Sequence, residues 1–370
     1  MIGEEESKEP ELQVNVAELS KMGYQSIKEN RLDEAEDYFD RILEIDPNNT
    51  YALVGLGDAA RKKGEFSKAI VHYNKCLENH ADNNYALFGL ADSYKALKKY
   101  EQAIDIWEKY LLKDEENITV LTRIADAYKK VRNFPKSKEI YLKALDMEPD
   151  NPYALIGLGY LHFDFKYYAE ALKYWERVLS LKGNEQNIKI LTALGNCHRK
   201  LKSFEKGLEY FQRALEIEDN NFYALFGIAD CYRGMKENEK SLHYWQRILT
   251  FDPNNKVILT RTGDACRNLE RLDEAEDYYH KALNVGFDAY AVLGLALINQ
   301  NRGKYQDAVD SLEKIMKNDP KNARLHHIIA ECYLSMNNKA RAVQVLSDFQ
   351  KTGIKNVYIS DFLASLKGSG

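Results

Sequence analysis

The sequence is poor in the residues that mark several familiar classes of protein. Its 370 residues include only 7 Pro and 20 Gly, too few for a collagen-like chain or a chain dominated by linkers. The 5 Cys are an odd number without short paired spacing, which argues against a disulfide framework or a zinc site. No stretch approaches the roughly 18 apolar residues that a membrane helix needs, and the acidic start MIGEEE lacks the apolar core of a secretory signal. We therefore expect a cytoplasmic protein, or a periplasmic or anchored one if a signal precedes this sequence.

Motifs of catalysis and of metal binding are also missing from the sequence. It contains no Gly-x-x-x-x-Gly-Lys-Ser/Thr, no His-Glu-x-x-His and no Gly-x-Ser-x-Gly. The adjacent pair His326-His327 would point in directions about 100° apart on a helix, which disfavours a shared metal ion. Lys and Arg number 52 and Asp and Glu 57, and the resulting net charge of −5 is too balanced for generic binding to a phosphate backbone. We expect neither an enzyme nor a cofactor, a metal or a nucleic-acid partner.

What the sequence has in abundance is tyrosine, 25 residues against 3 Trp, and much of it recurs at a fixed spacing. The string Tyr-Ala-Leu-x-Gly begins at Tyr51, Tyr85, Tyr153 and Tyr223. Self-alignment divides 16–356 into ten repeats of about 34 residues, the fifth with two extra residues and the eighth one short. The repeats begin at Val16, Thr50, Asn84, Ile118, Pro152, Ile188, Phe222, Lys256, Ala289 and Ala323. Positions within a repeat are called places 1 to 34 below.

Two places of the repeat hold only small residues. Place 8 is Gly or Ala throughout, and place 20 is Ala, Ser or Gly. Small side chains let two helix axes approach closely, so these places predict a helix–helix crossing within each repeat. Place 24, four residues after the second small place, holds a large residue on the same helix face. Its residues are Phe39, Tyr73, Trp107, Tyr141, Trp175, Phe211, Trp245, Tyr279, Leu312 and Leu346.

This pattern resembles the tetratricopeptide repeat family over about nine-tenths of the chain. The resemblance implies an all-α fold, a right-handed superhelix (α-solenoid) of ten helix-turn-helix repeats with a concave inner groove. We therefore predict a disordered acidic segment and lead-in at 1–15, ten tandem repeats at 16–356, and a capping helix with a flexible tail at 357–370. The three Trp fall in alternate repeats, so the array also has a period of about 68 residues, for which ancestral duplication without functional meaning is the simple explanation.

Two faces of each first helix are expected to pack against other helices. The remaining arc, which includes places 2, 5, 6, 9 and 12, is the part that a ligand can reach. Tyr recurs at place 2, Asp at place 9 and a cation at place 12, which suits an extended peptide. Alternatively, Asp and the cation three residues later simply pair with each other. The predicted groove residues outside repeat 5 are Tyr85, Asp92, Asp126, Lys129, Asn196, Arg199, Tyr223, Asp230, Arg233, Asp264 and Arg267.

Repeat 5 departs from this pattern. Tyr160 replaces the aspartate and Phe163 replaces the cation, beside Tyr153 and Ile156 on the same arc. An apolar, aromatic centre with a polar rim is the usual arrangement of an interface hot spot. Internal packing between turns of the superhelix and self-association are the alternatives.

The sequence thus predicts a non-catalytic scaffold that binds a protein or an extended peptide segment in its groove. A self-assembling homo-oligomer and a regulatory subunit of an enzyme complex remain alternatives. Related domains that hold the C-terminal carboxylates of chaperones use a clamp that includes Lys and Asn side chains. At the matching place 9 this chain mostly has Asp, which would repel such a carboxylate. The same acidic column argues against RNA.

Overall fold

The protein is all-helical in a computed structural model that describes residues 16–368, which confirms the predicted fold class. Within that range there are 21 helices and no strand. The predicted segment 1–15 and the last two residues of the predicted tail lie outside the described residues. The first helices of the repeats are α1 (Val16–Lys28), α3 (Thr50–Lys62), α5 (Asn84–Ala96), α7 (Ile118–Lys130), α9 (Pro152–Asp164), α11 (Ile188–Lys200), α13 (Phe222–Gly234), α15 (Lys256–Asn268), α17 (Ala289–Asn301) and α19 (Ala323–Ser335). The second helices are α2 (Leu32–Ile45), α4 (Phe66–Asn79), α6 (Tyr100–Leu111), α8 (Phe134–Met147), α10 (Tyr168–Ser180), α12 (Phe204–Ile217), α14 (Asn238–Phe251), α16 (Leu272–Val285), α18 (Tyr305–Met316) and α20 (Lys339–Lys351), and α21 (Val357–Gly368) follows.

The chain divides into two compact units, an N-terminal unit that ends at Lys182 and a C-terminal unit that begins at Gly183. The division falls in the two-residue insertion of repeat 5. Within each unit every helix packs on the next. Some first helices also contact the first helix of a neighbouring repeat, as in α1 with α3 or α15 with α17. The surface formed by the first helices is called the inner surface below. The superhelical course of the whole array stays a prediction.

Each first helix from the second repeat onward begins at a side chain that caps it. The last residue of the preceding repeat is Asn in eight cases and Asp288 in one, and its Oδ1 accepts from a backbone N–H three residues on at 3.0–3.4 Å. Such a cap satisfies one of the unpaired N–H groups at a helix start and contributes about 1 kcal/mol. The repeat boundary is thus encoded by one polar residue per repeat.

Each first helix ends at place 13 and is followed, two residues later, by a residue with a positive φ at place 15. This residue is Gly in two repeats and otherwise Asn, Lys, Arg or Glu, with φ between 56° and 81°. A left-handed residue turns the chain sharply after a helix. The turn brings the second helix back antiparallel to the first, so that the small residues of places 8 and 20 meet.

The ring at place 24 is the centre of the packing between repeats. Tyr73 lies between Gly57 at place 8 of its own repeat and Gly89 at place 6 of the next, and a Cβ added to either glycine would overlap the ring. Phe39, Phe211 and Tyr279 are held in the same way, and all these rings are fully buried. Glycine in a helix costs about 1 kcal/mol relative to alanine. Burial of an aromatic ring offsets that cost.

The residue at place 6 of a repeat depends on whether place 24 of the preceding repeat holds Trp or another ring. After Phe or Tyr, place 6 is always Gly, whereas after Trp it is Arg123, Ala193 or Arg261. The Trp175 ring instead lies directly against Gly159 of its own repeat. The 68-residue period is therefore matched by a difference in side-chain packing, and it places an arginine on the inner surface of repeats 4 and 8.

The C-terminal helix α21 packs on α20. Its Ile359 and Leu363 are buried in a cluster with Leu346 and Phe349. The ring of His327 lies 5.0 Å from that of Phe362. This helix thus covers apolar surface of the tenth repeat, which is the role of a solenoid cap.

Substituting Gly294→Ala tests the role of the glycine at place 6. The added methyl group overlaps the buried Tyr279 ring, so we expect a net loss of about 1–2 kcal/mol in unfolding free energy despite the better helix propensity. Gly286→Ala is the matched control in the same unit, because nothing lies within 4 Å of its added Cβ and its backbone is extended at φ 163°. Urea denaturation followed by circular dichroism measures both. Equal midpoints for the two variants would contradict the packing described above.

Candidate functional site

Two adjoining cavities open on the inner surface of the N-terminal unit. Cavity 1, about 610 Å³, and cavity 2, about 680 Å³, share Lys95, Arg123, Asp126 and Lys129. Both fall within the size range of ligand pockets. The other residues lining cavity 1 are Arg61, Phe66, Asp92, Ala96, Tyr100, Ala127 and Lys130. The other residues lining cavity 2 are Ile118, Thr119, Thr122, Glu148, Asn151, Tyr153, Ile156, Gly157 and Tyr160.

Five of the predicted groove residues in this unit therefore line cavity 2, namely Asp126, Lys129, Tyr153, Ile156 and Tyr160, and Asp92 lines cavity 1 with Asp126 and Lys129. Tyr85 and Phe163 line neither. The tyrosines at place 2 are strongly exposed, with 79% of Tyr85, 75% of Tyr153 and 69% of Tyr223 accessible. Tyr153 is the member of this column that combines such exposure with a position beside cavity 2.

In three repeats the aspartate at place 9 is bonded to the ring at place 24. The Tyr73 hydroxyl donates to Asp58 at 2.7 Å, and Tyr141 to Asp126 at 2.6 Å. Tyr279 donates to Asp264 at 2.9 Å. Burial, followed by the charge of the adjacent carboxylate, raises the pKa of all three tyrosines. Each hydroxyl thus stays a donor at neutral pH, and part of each aspartate is used inside the fold.

Where place 24 is Trp, the aspartate has no tyrosine hydroxyl to accept from and pairs with arginine alone. Asp92 accepts from Arg123 at 2.6 Å and lies 3.7 Å from Arg61. Asp230, 7% exposed, is paired with Arg199 of the preceding repeat and with Arg233 at 2.6 Å. Burial alone would raise the pKa of Asp230, but the two guanidinium groups outweigh it and hold the pKa below its usual range. The alternative of internal pairing is therefore observed for much of the acidic column.

The aromatic residues of repeat 5 divide into two clusters. Tyr160 and Phe163 both lie against Trp175, with ring centroids 5.1 and 5.8 Å apart, and the Lys129 ammonium lies 5.7 Å from the Tyr160 centroid. His162 is buried on another face, where its Nδ1 lies 2.8 Å from the Leu158 carbonyl oxygen. The rings of Phe134, Tyr167 and Tyr174 lie near the His162 ring. The Phe165 ring lies against that of Phe134. Of the two clusters, the one around Trp175 reaches cavity 2, through Tyr160.

A third cavity, of about 590 Å³, opens on the inner surface of the C-terminal unit. It contains the predicted residues Arg233, Asp264 and Arg267. Asn196, Arg199, Tyr223 and Asp230 do not line it. The other lining residues are Lys236, Asn238, Arg261, Asn268, Tyr290, Leu293, Gly294, Leu297 and Arg324.

Sequence reasoning missed Arg123 and Arg261, which line cavities in the two units. The signal was present, because place 6 lies on the predicted arc and both arginines interrupt a column otherwise rich in glycine. Lys236 was missed because it lies in the turn after the first helix, at a place not assigned to the groove. Arg324 replaces the tyrosine of place 2.

The five cysteines are all buried and free. Burial raises the pKa of the Cys197 and Cys231 thiols to about 12 and of the Cys266 thiol to about 11. They are therefore packing residues rather than nucleophiles. Between residues 16 and 368 no three His, Cys, Asp or Glu side chains are grouped so that they could hold a metal ion. Over the same range, none of the helices has the length and apolar character needed to cross a membrane.

The helix pairs, capped at each boundary and stacked through a buried ring, define an all-helical repeat protein with open cavities along its first helices. Five family models described as "Tetratricopeptide repeat" match residues 122–185, 188–221, 223–255, 258–285 and 301–352, together more than half of the chain. The chain belongs to the tetratricopeptide repeat family. Residues 28–110 match a model described as "Anaphase-promoting complex, cyclosome, subunit 3". No curated protein matches the chain.

A solved structure shows the same fold, and two others are similar to parts or all of the chain. A tetratricopeptide repeat protein from Parabacteroides merdae is 17% identical with a TM-score of 0.53, over 70% of this chain and 98% of that one. Yeast Tom70 is 13% identical with a TM-score of 0.49 over 96% of each chain. PilW, a type IV pilus biogenesis factor, is 19% identical with a TM-score of 0.49, over 54% of this chain and 92% of that one. A repeat fold of this kind indicates a scaffold for protein–protein interaction.

Replacing Asp230 with Asn tests the buried pairing with Arg199 and Arg233. At pH 7 we expect a loss of about 2 kcal/mol in unfolding free energy, because charge-assisted hydrogen bonds are lost. Since the folded-state pKa of Asp230 is lowered, its stabilisation is present above the unfolded pKa of about 3.9 and is lost as pH falls through the folded value. The difference between the native protein and the variant should therefore be constant from about pH 7 to 5 and narrow below about pH 4.

Urea denaturation at a series of pH values measures this difference. Asp361→Asn, which changes an exposed aspartate on α21, serves as control and should leave stability unchanged at each pH. A difference that stays the same down to pH 3 would show that the Asp230 carboxylate charge does not stabilise the fold.

Proposed function

We propose that the protein is a non-catalytic scaffold that binds an extended segment of a partner protein on the inner surface of its N-terminal unit. The supporting observation is the pair of adjoining cavities that share Lys95, Arg123, Asp126 and Lys129. Together they give a site with an apolar part, a cationic part and exposed tyrosine. A segment of several residues can fill such a site, whereas a small metabolite would leave much of it open.

The chemistry of cavity 2 suits a peptide backbone with an anchoring apolar side chain. Tyr153, Ile156 and Tyr160 supply apolar contact on one side, and the cations of α5 and α7 can donate to carbonyl groups on the other. Asn151 is committed to capping α9, and Asp126 already accepts from Tyr141. Lys95, which has no ion-pair partner among the described residues, is the most available donor.

The packing of Tyr160 and Phe163 on Trp175 makes these two residues poor choices for a binding test. Their truncation would remove ring contacts inside repeat 5 and lower stability together with any binding. Tyr153 has an exposed ring, and Lys95 is also free of structural partners. Substitution of Tyr153 and Lys95 therefore tests binding with less effect on stability than substitution of Tyr160 and Phe163.

The test is selection of peptides from a random dodecapeptide library displayed on phage, followed by affinity measurement on variants. Selected peptides should bind Lys95→Ala/Tyr153→Ala at least tenfold more weakly than the native protein, a loss of about 1.4 kcal/mol. Tyr223→Ala is the matched control, because it removes another exposed tyrosine at place 2 that lines none of the three cavities. Melting temperatures should be unchanged in both variants.

Failure to enrich any peptide, or equal affinity for the double variant and the native protein, would refute the proposed site. Self-assembly and attachment to an enzyme, the alternatives from sequence, predict no such selection. Light scattering over a concentration series distinguishes the first of them, since self-assembly requires the mean mass to rise with concentration. The expected cytoplasmic localisation stays a prediction.

A further inference from the structure

Cavity 3 is lined by more cations than carboxylates. Its cations are Arg233, Lys236, Arg261, Arg267 and Arg324, and its one carboxylate is Asp264. Arg233 is paired with Asp230 outside the cavity lining, which leaves four cations against Asp264. Some cations elsewhere in this unit pair with carboxylates of a preceding repeat, as Arg271 does with Glu239 at 2.6 Å and Arg302 with Glu276 at 2.7 Å. Within residues 16–368, the four cations of cavity 3 other than Arg233 make no such pair with a preceding repeat.

The single carboxylate does little to balance the surplus. Asp264 accepts the Tyr279 hydroxyl at 2.9 Å, and its nearest cation, Arg261, is 3.9 Å away, beyond hydrogen-bond distance. Repeat 9 contributes no further carboxylate, because Leu297 stands where other repeats have Asp at place 9. The acidic column that argues against acidic ligands at the sequence level is interrupted here.

Several donors of the cavity have no partner in the fold. Lys236 and Arg324 are exposed and have no ion pair. The Nε of Arg267 is buried and makes no hydrogen bond of good geometry, although the Arg267 charge lies near enough to the Tyr279 hydroxyl to oppose the rise in the pKa of that tyrosine. Unpaired donors around one cavity, with their charges unbalanced, favour an anionic ligand.

The floor of the cavity is apolar. Leu293, Gly294 and Leu297 of α17 line it, and Tyr290, 73% exposed, stands beside them. A free inorganic anion would leave this surface uncovered. A nucleic acid would find one short cationic patch rather than a stripe along the chain.

We propose that cavity 3 binds a segment of a partner protein in which several acidic side chains accompany apolar ones. The carboxylates pair with the cations of α15, of the turn after α13 and of the start of α19, while the apolar side chains cover Leu293 and Leu297. The site is separate from cavities 1 and 2 and does not depend on the function proposed for them. It gives the protein a second docking surface of different specificity.

The test uses fluorescence anisotropy with a fluorescein-labelled peptide of twelve residues that contains six Glu and three Leu. A matched peptide has Gln in place of every Glu, and a single-stranded RNA of 20 nucleotides is the third probe. The acidic peptide should bind at least tenfold more tightly than the Gln peptide at low salt. Its affinity should fall severalfold between 50 and 300 mM NaCl, because exposed charges are screened.

The variant Lys236→Glu/Arg324→Glu should weaken binding of the acidic peptide at least tenfold. Neither residue has a structural partner, and Glu270 occupies the place of Lys236 in repeat 8 with φ 61°, so the backbone tolerates the change. Lys206→Glu reverses the charge of an exposed lysine on α12, away from the cavity, and as a control should change affinity less than twofold. Lys95→Ala/Tyr153→Ala should also leave this peptide's affinity unchanged.

Three outcomes would overturn the proposal. The first is equal binding of the acidic and Gln peptides, and the second is an affinity that the cavity 3 variant does not change. The third is tighter binding of RNA in competition with the peptide. Loss of peptide binding in Lys95→Ala/Tyr153→Ala alone would assign the acidic segment to the N-terminal unit and refute cavity 3 while supporting the first site.

Discussion

In repeats 1, 2, 6 and 8 the stacking on the next repeat depends on a buried ring that occupies the space of two absent side chains. Tyr73 between Gly57 and Gly89 shows the arrangement. Because protein interiors are packed without spare volume, the ring and its glycines specify each other, and the caps and left-handed turns then only have to start and reverse the helices. The same ring reaches the inner surface through its hydroxyl. In repeats 2, 4 and 8 the packing residue therefore also determines which oxygen atoms of the place 9 aspartate remain available to a ligand.

That double role changes the interpretation of the acidic column. A row of aspartates suggests a surface that repels acidic partners, but Asp126 and Asp264 are bonded to tyrosine, and Asp92 and Asp230 are paired with arginine. The electrostatic character of each region then depends on the cations that are left over. The N-terminal unit combines such cations with Tyr153 and Ile156, and the C-terminal unit combines them with Leu293 and Leu297. Two surfaces built from one repeat pattern thus differ in chemistry because a few positions per repeat differ.

The helices and their pairing could be predicted from sequence because small residues at places 8 and 20 recur without exception, and self-alignment detects such columns directly. Tyr153, Ile156 and Tyr160 were assigned to the inner surface from the helical wheel alone, and they do line one cavity. The hydrogen bonds between the aspartate at place 9 and the tyrosine at place 24 were not predictable in this way. They join two helices and depend on the position of the tyrosine hydroxyl. Arg123 and Arg261 were missed because glycine at place 6 of five other repeats marks this place as a packing position. The separation of His162 from Tyr160 follows from a difference of two residues, which rotates a helical side chain by about 200°.

The dependence of place 6 on the preceding ring has a consequence for how the array can change length. Loss of repeat 4 would bring Trp107 next to Gly157, which now contacts Tyr141. Loss of repeat 3 would bring Tyr73 next to Arg123, in place of Gly89. Loss of repeats 3 and 4 together would instead join Tyr73 to Gly157, and the ring would again meet a glycine. Shortening or lengthening by two repeats preserves the match between ring and glycine, whereas a change by one breaks it. In this stretch the array can therefore change length by pairs of repeats without losing the match, although each repeat is a single pair of helices.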